Sequence, residues 1–319
     1  RVNRYSIRQK VEQLHIEKIS RAAANQRAGR CGRVMSGVCV RLYEEADFVQ
    51  RDEFTDPEIF RVSLATVILR MSALELGDIA EFPFIEPPTP RMIADGYQLL
   101  AELGAIDEAR QLTKLGHELA KLPLDPKIAR LLLAGRQYFC LTEILIIASA
   151  LSVQDPRDRP LDRQEAADAA HKRFADERSD FFAYIKIWAW YEQALAHKQS
   201  NRLLAEECRK NFLSPLRLRE WRELHQQLHG QVAEMGMRSN ETPATYERIH
   251  KALLCGLLGN IGMKSVDGNE YLGARGIKFF IASNSVLAKK GTKWVMAGEL
   301  IETHKLFARC MARIEPEWL

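Results

Sequence analysis

ARQLTKLGHELAKLPLDP, residues 109–126, is the seam between two kinds of pattern in this chain. Its first half, Ala109 to Gly116, is short and strand-like, and two helical stretches precede it. Ser63–Leu74 carries Leu64, Val67, Ile68 and Met71 on one face. Arg91–Leu103 stops at Gly104, which suits a left-handed C-terminal cap because it has no Cβ to clash there. The second half ends on Leu124-Asp125-Pro126. Asp can cap free amides, and Pro needs no amide at the first helical position, so a new helix opens there. Helix, helix, small wing, then helix: one small domain closes and another begins.

Beyond the seam, residues 127–235 read as nearly continuous helix, broken around 155–160 and at Ser214-Pro215. Ser179–Leu195 is apolar on most sides (Phe181, Phe182, Ile185, Ile187, Trp188, Trp190), as a helix central to a bundle must be. The polar stretch 238–243 looks like a linker, and one further helix, Tyr246–Leu258, follows it. After that, Ile277, Phe279 and Ile281 alternate, as do Leu306, Ala308, Cys310, Ala312 and Ile314. Short alternating strands with Gly-rich turns suggest a small barrel of the oligonucleotide/oligosaccharide-binding (OB) kind.

Before the seam, residues 1–18 alternate as an extended hairpin, with Val2, Tyr5, Ile7, Val11, Leu14 and Ile16 apolar. Ser20–Arg30 is an Ala-rich helix with Ser20 as N-cap. Gly37–Tyr43 reads as a buried strand, Asp56-Pro57 as a helix start, and Phe82–Pro88 as a connector. The expected fold is multidomain and mainly α. An α/β remnant with the hairpin spans 1–50, a winged helix 51–121, a helical bundle 122–240 and an all-β OB-type barrel 241–319.

The 319 residues, 46% apolar and 28% charged, exclude wholesale disorder. No run approaches the roughly 18 apolar residues of a membrane span. There is no initiator Met and no signal segment, so the chain reads as a piece of a longer cytoplasmic polypeptide. Its six cysteines (31, 39, 140, 208, 255 and 310) form no CxxC and have no nearby His pair, which argues against zinc and disulfides. His117, His171, His225, His229 and His250 show no ligand spacing either, and no metal is expected. Charge is uneven: ten Lys+Arg against five Asp+Glu in residues 1–50, 11 against eight in 241–319, and 25 against 29 between. Basic ends around an acidic middle hint at a polyanion held by the flanks.

The sharpest local signal is Gln26-Arg27-Ala28-Gly29-Arg30-Cys31-Gly32-Arg33. On a helix, Gln26, Arg30 and Arg33 fall at i, i+4 and i+7, on one face, and the glycines let that face approach a partner closely. Guanidinium groups beside an amide suit a transferring phosphoryl group: Arg spreads charge onto its oxygens and Gln can hold a water in line. A basic face that merely meets phosphate or solvent is the plainer alternative.

That string resembles motif VI of superfamily 2 helicases in its DEAH-box form. The resemblance puts two arginine fingers on Arg30 and Arg33 and a water-positioning glutamine on Gln26. Residues 1–19 resemble the family's strand-separating hairpin. "LTKLGHELAKLPLDPKIARLLL" resembles its winged-helix/ratchet junction, and "IIASALSVQDPRDRP" and "SDFFAYIKIW" its ratchet bundle. "IHKALLCGLLGNIG", "NSVL" and "ARIEPEWL" resemble its OB domain, and "EYLGARGIKFFIASNSVLAKKGTKW" looks bacterial, most like the HrpA type. The resemblance covers the whole chain in order. It implies the C-terminal, RNA-gripping part of an ATP-dependent 3′-to-5′ RNA helicase, with 1–50 left from the second RecA-like lobe. The parent would use ATP and Mg2+; this chain, with no GxxxxGK[ST] and no Asp-Glu-Ala-His, should bind neither well and be inactive alone.

Single-stranded RNA, with DNA as the second polymer, is the expected partner, together with the N-terminal RecA-like lobes in cis and no membrane. Candidate contacts are Arg4, Arg8 and Lys10 on the hairpin, beside Tyr5, and Lys264, Arg275, Lys278, Lys289, Lys290 and Lys293 on the barrel. Phe279, Phe280 and Trp294 interleave with the latter, which suits sequence-tolerant stacking, although each fits the barrel core better. The winged helix is not read as a DNA reader, because Arg91–Leu103 brings one Arg against Asp95 and Glu102. The rival from another class is a non-catalytic adaptor that binds nucleic acid or protein.

Overall fold

The computed structural model describes residues 2–6, 11–15, 17–266, 268–302 and 305–319. The chain opens with an antiparallel hairpin of β1 (Val2–Ser6) and β2 (Val11–His15), in register from Val2↔His15 to Ser6↔Val11. Helix α1 (Arg21–Gly29) follows, capped by Ser20, whose side chain accepts from the Ala23 amide at 3.2 Å. A short α2 (Glu45–Val49) comes next. The expected strand at Gly37–Tyr43 is absent: residues 31–40 are exposed throughout and form no strand. An apolar run forms a buried strand only if neighbours complete its ladder and cover its faces, and no described residue does so here.

Asp56-Pro57 starts only a 3-10 turn, Glu58–Phe60, rather than a helix. The Asp56 carboxylate accepts from Arg4 (2.8 Å) and its carbonyl from Arg61 (3.1 Å), so neither its charge nor its backbone is free for a helical turn. The winged helix proper holds α3 (Ala65–Ala73), α4 (Pro90–Glu102) and α5 (Lys114–Ala120). The Thr89 hydroxyl caps α4, and Gly104 ends it at φ +72° as expected. The wing is smaller than Ala109–Gly116. It is a single bridge, Ile106↔Leu112, because the Thr113 side chain accepts from the Gly116 amide and turns the chain into α5. Gly116 lies so close to the turn after α4 that a Cβ would sit 2.0 Å from the Ala105 carbonyl oxygen.

Asp125 opens α6 (Pro126–Gln137) by accepting from the Lys127 amide at 2.9 Å. The bundle continues with α7 (Leu141–Leu151), α8 (Gln164–His171), α9 (Phe181–Ala196), α10 (Asn201–Lys210) and α11 (Pro215–Glu234). α7 is buried along almost its whole length, and Trp221 of α11 donates to the Ser149 hydroxyl at 2.9 Å. Helix α12 (Tyr246–Leu257) lies past the linker yet packs into the same core: Leu253 and Leu257 share a cluster with Leu131 and Leu132.

The rest is a barrel of β3 (Ile261–Lys264), β4 (Glu270–Gly273), β5 (Lys278–Ile281), β6 (Trp294–Glu302) and β7 (Leu306–Arg313). The strands pair β6–β3–β4–β5–β7, and β7 returns to β6, so the sheet closes; β5–β7 is its parallel pair. Phe279, Leu287, Val295 and Ala297 fill the interior. The expected alternation along β7 holds for Leu306 and Ala308 and then shifts. Met311 faces the interior, while Ala312 and Ile314 face the helical core. Cys310 adopts φ +52° opposite Gly298, where a Cβ would meet the Cys310 Cβ at 3.1 Å. The twist there hands one face of β7 from barrel to bundle. The hairpin joins the same sheet, since β2 pairs with β6 at Gln13↔Glu302.

Candidate nucleotide and nucleic-acid sites

Helix α1 is held at its first turn and open at its end. Arg21 and Ala22 donate to the Asp52 and Glu53 carbonyls at 2.9 Å, and Ala24 is its one buried residue. The chain stays right-handed helical through Arg33 (φ −70°, ψ −35°), so Gln26, Arg30 and Arg33 keep their spacing, and all three are exposed. A Cβ on Gly29 or Gly32 would meet nothing within 4 Å, which leaves a face that a bulky anion can reach. Just beyond, Val34, Val38 and Leu42 are 96%, 89% and 95% exposed. The chemistry of two guanidiniums and an amide on an open surface fits phosphate oxygens delivered from outside the chain, whereas the sequence offers no phosphate loop to hold them.

The expected nucleic-acid contacts divide into paired and unpaired groups. Arg4 pairs with Glu17 and Asp56, Arg275 with Glu102, and Lys278 with Glu270 (2.6 Å). Arg8 and Lys10 lie outside the described residues. Tyr5 is wedged between α4, α12 and the barrel, and burial pushes its phenol up to about 12. Lys264, Lys289, Lys290 and Lys293 gather around the turn at Gly291 (φ +60°), with the Lys264 Nζ against that glycine and Lys290 donating to the Glu177 carbonyl at 2.5 Å. The groove beside them, about 680 Å³, adds Arg178 and Arg313, two cations that sequence reading missed because bundle and barrel residues meet only in the fold. Among the aromatics, Phe279 is fully buried as core, while Trp294 and Phe280 are half-buried.

Barrel and bundle are joined by buried polar chemistry. Asp180, ahead of α9, accepts from the Ser285 hydroxyl (2.6 Å) and from the Val286 (2.9 Å) and Met311 (2.8 Å) amides. His250 is fully buried. Its Nδ1 lies 2.7 Å from the Tyr246 carbonyl oxygen, which can only accept, so Nδ1 carries the proton and Nε2 accepts from the Ser179 hydroxyl at 2.8 Å. Desolvation pushes His250 down to about 4. This Ser–His pair is closed to solvent and stacked on Phe182, so it is a packing contact rather than a nucleophile. Among the described residues no group of three His, Cys, Asp or Glu side chains could hold a metal, and no helix is long and apolar enough to cross a membrane.

Known families match this architecture in order. The winged-helix part of the helicase-associated domain (HA2) matches residues 97–124, its ratchet-like part 125–184, and the OB fold 249–319. Winged helix, ratchet bundle and OB barrel on one chain define a helicase-associated assembly. More particularly, the chain is a homologue, over its whole length, of one region of the HrpA helicases. It is 53% identical to "ATP-dependent RNA helicase HrpA" of Escherichia coli and 50% identical to "ATP-dependent RNA helicase HrpA homolog" of Haemophilus influenzae, covering 100% of this chain each time. The chain spans about a quarter of the length of these curated relatives, 25% of each.

Proposed function

We propose that this chain is the part of an ATP-dependent RNA helicase that grips nucleic acid and supplies the arginine side of the nucleotide site. The observation that carries this reading is the exposed Gln26–Arg33 face followed by an apolar run with no covering residues among those described. Both features call for a second body, which we take to be two RecA-like lobes in cis. Docked against a nucleotide, Arg30 and Arg33 would spread charge from the transferring phosphoryl oxygens, and the Gln26 amide would orient the attacking water. ATP-bound Mg2+ would neutralise further charge, and its ligands belong to the lobes. Without them the chain turns over no ATP.

The barrel and hairpin would hold the strand being moved, single-stranded RNA, in the 3′-to-5′ direction, in the cytoplasm. Lys264, Lys289, Lys290 and Lys293 support this grip, because they cluster around one Gly turn with little to neutralise them except backbone and solvent. Arg4, Arg275 and Lys278 contribute by fixing the surfaces around the grip through their ion pairs.

The test is anisotropy of a labelled single-stranded RNA with this chain across a salt series, with ATP turnover measured in the same samples. Four phosphate contacts to a single strand predict roughly 50-fold weaker binding at 200 mM than at 50 mM salt. Affinity that ignores salt, or ATP hydrolysis by the chain alone, contradicts the proposal.

A further inference from the structure

The pleat that buries Phe279 turns Phe280 outward. Phe280 on β5 stands opposite Phe307 on β7 in the parallel pair, with ring centroids 6.2 Å apart and planes tilted by 47°. Both rings are half-buried, and the Lys305 Nζ lies 4.6 Å above the Phe280 ring. Phe307 also borders a groove of about 970 Å³ between barrel and bundle, with Ile281 and Arg309 on the barrel side and Arg159, Leu161 and Lys172 on the bundle side.

The charges in that groove are not balanced as they first look. Asp168 is held by both nitrogens of Arg159 at 2.7 and 2.8 Å, and Asp155 by Arg157 at 2.6 Å. Asp180 spends its oxygens on Ser285, Val286 and Met311. Each carboxylate that lines the groove is therefore occupied. Lys172 remains without such a partner, and Arg309 reaches only a loose 3.9 Å contact with the exposed Glu299. A polyanion meets net positive charge here, and a pair of aromatic faces next to it.

We infer that Phe280 and Phe307 form a stacking platform for unpaired bases, with Lys305, Arg309 and Lys172 neutralising the backbone that runs along the groove. The inference rests on the reading of this chain as a single-strand binder, and it places a second contact across the barrel from the Gly291 lysines. Stacking on such a platform tolerates any base, because every base has a π face. An apolar peptide would use the same rings without needing their aromaticity, which separates the two occupants by experiment.

The experiment measures affinity for a labelled single-stranded RNA of about twelve nucleotides, long enough to span such a site. It compares the unaltered chain with three double variants: F280L/F307L, F280Y/F307Y and K289E/K290E. The leucine pair keeps apolar bulk and removes the π faces; the tyrosine pair keeps both. The platform predicts about fivefold or greater weakening for the leucine pair with an unchanged salt slope, and affinity within twofold for the tyrosine pair. It also predicts a shallower salt slope for the lysine variant alone. If the leucine pair binds like the unaltered chain while K289E/K290E is weakened, the platform is wrong and the RNA reading stands. Equal weakening of the leucine and tyrosine pairs, with lowered melting temperatures, makes the rings structural and overturns the platform. If the unaltered chain binds no RNA, both ideas fall.

Discussion

His250 illustrates how one buried side chain ties stability to pH. In the unfolded chain it takes up a proton near 6.5, whereas burial holds the folded imidazole neutral to about 4. Between those values the unfolded state binds the extra proton, so its contribution to stability is intact above 6.5 and shrinks as pH falls towards 4. By pH 5 this amounts to about 2 kcal/mol. Urea denaturation across pH 7.5 to 5 should show that loss, and His250→Gln should reduce the slope by about one proton; an unchanged slope contradicts the assignment. His225, pushed down to about 4 by burial and then by His229, acts in the same direction. At Asp180, substitution by Ala would strand the Ser285 hydroxyl and the Val286 and Met311 amides, a cost of about 3 kcal/mol. Amide exchange should speed up first at Val286 and Met311; protection equal to that of the unaltered chain would mean that the carboxylate does not join barrel to bundle.

Elements carry their own test at the crossing of β6 and β7. Gly298 leaves room for Cys310, Leu151 and Phe181, which a Cβ would meet at 3.1, 3.3 and 3.4 Å. Gly298→Val should cost about 1–3 kcal/mol by overpacking, read as a lower denaturation midpoint, and no change would show that the strands part there freely. This crossing also marks what sequence can and cannot tell. Ser20, Gly104 and Asp125-Pro126 announce their helix ends because capping is local chemistry, satisfied within a few residues. The alternation from Leu306 to Ile314 is local too, but the hand-over at Cys310 depends on a helix bundle packed from outside. Gly37–Tyr43 is apolar enough for a strand yet is none, since a ladder needs a partner. Thr113 outweighed the strand-like Ala109–Gly116 because one hydroxyl cap starts a helix. At the sites, the motif face of Gln26, Arg30 and Arg33 was readable from its spacing, whereas the pairing of Arg4 with Asp56 or Arg275 with Glu102 joins residues far apart in the chain.

Over the whole molecule, uneven charge becomes geometry. The basic first fifty residues and the basic tail are neighbours, because β2 of the hairpin extends the barrel sheet through β6. The fold thus offers two faces. One, at the end of α1, is open, arginine-rich and flanked by uncovered apolar side chains. The other, on the barrel, carries lysines, half-buried aromatics and a groove against the bundle. Lys289→Glu/Lys290→Glu should weaken RNA binding about evenly across sequences and lower the salt slope, while leaving the melting temperature unaltered because both side chains are exposed.

The claim on which the rest turns is that the α1 arginines act on a nucleotide held elsewhere. RNA-stimulated ATP turnover of a protein carrying this chain together with its motor lobes, compared with its Arg30→Ala and Arg33→Ala variants, tests it most directly. The account predicts a loss of about 10³-fold in turnover for either variant, with RNA affinity within twofold. Turnover that survives both substitutions would contradict it.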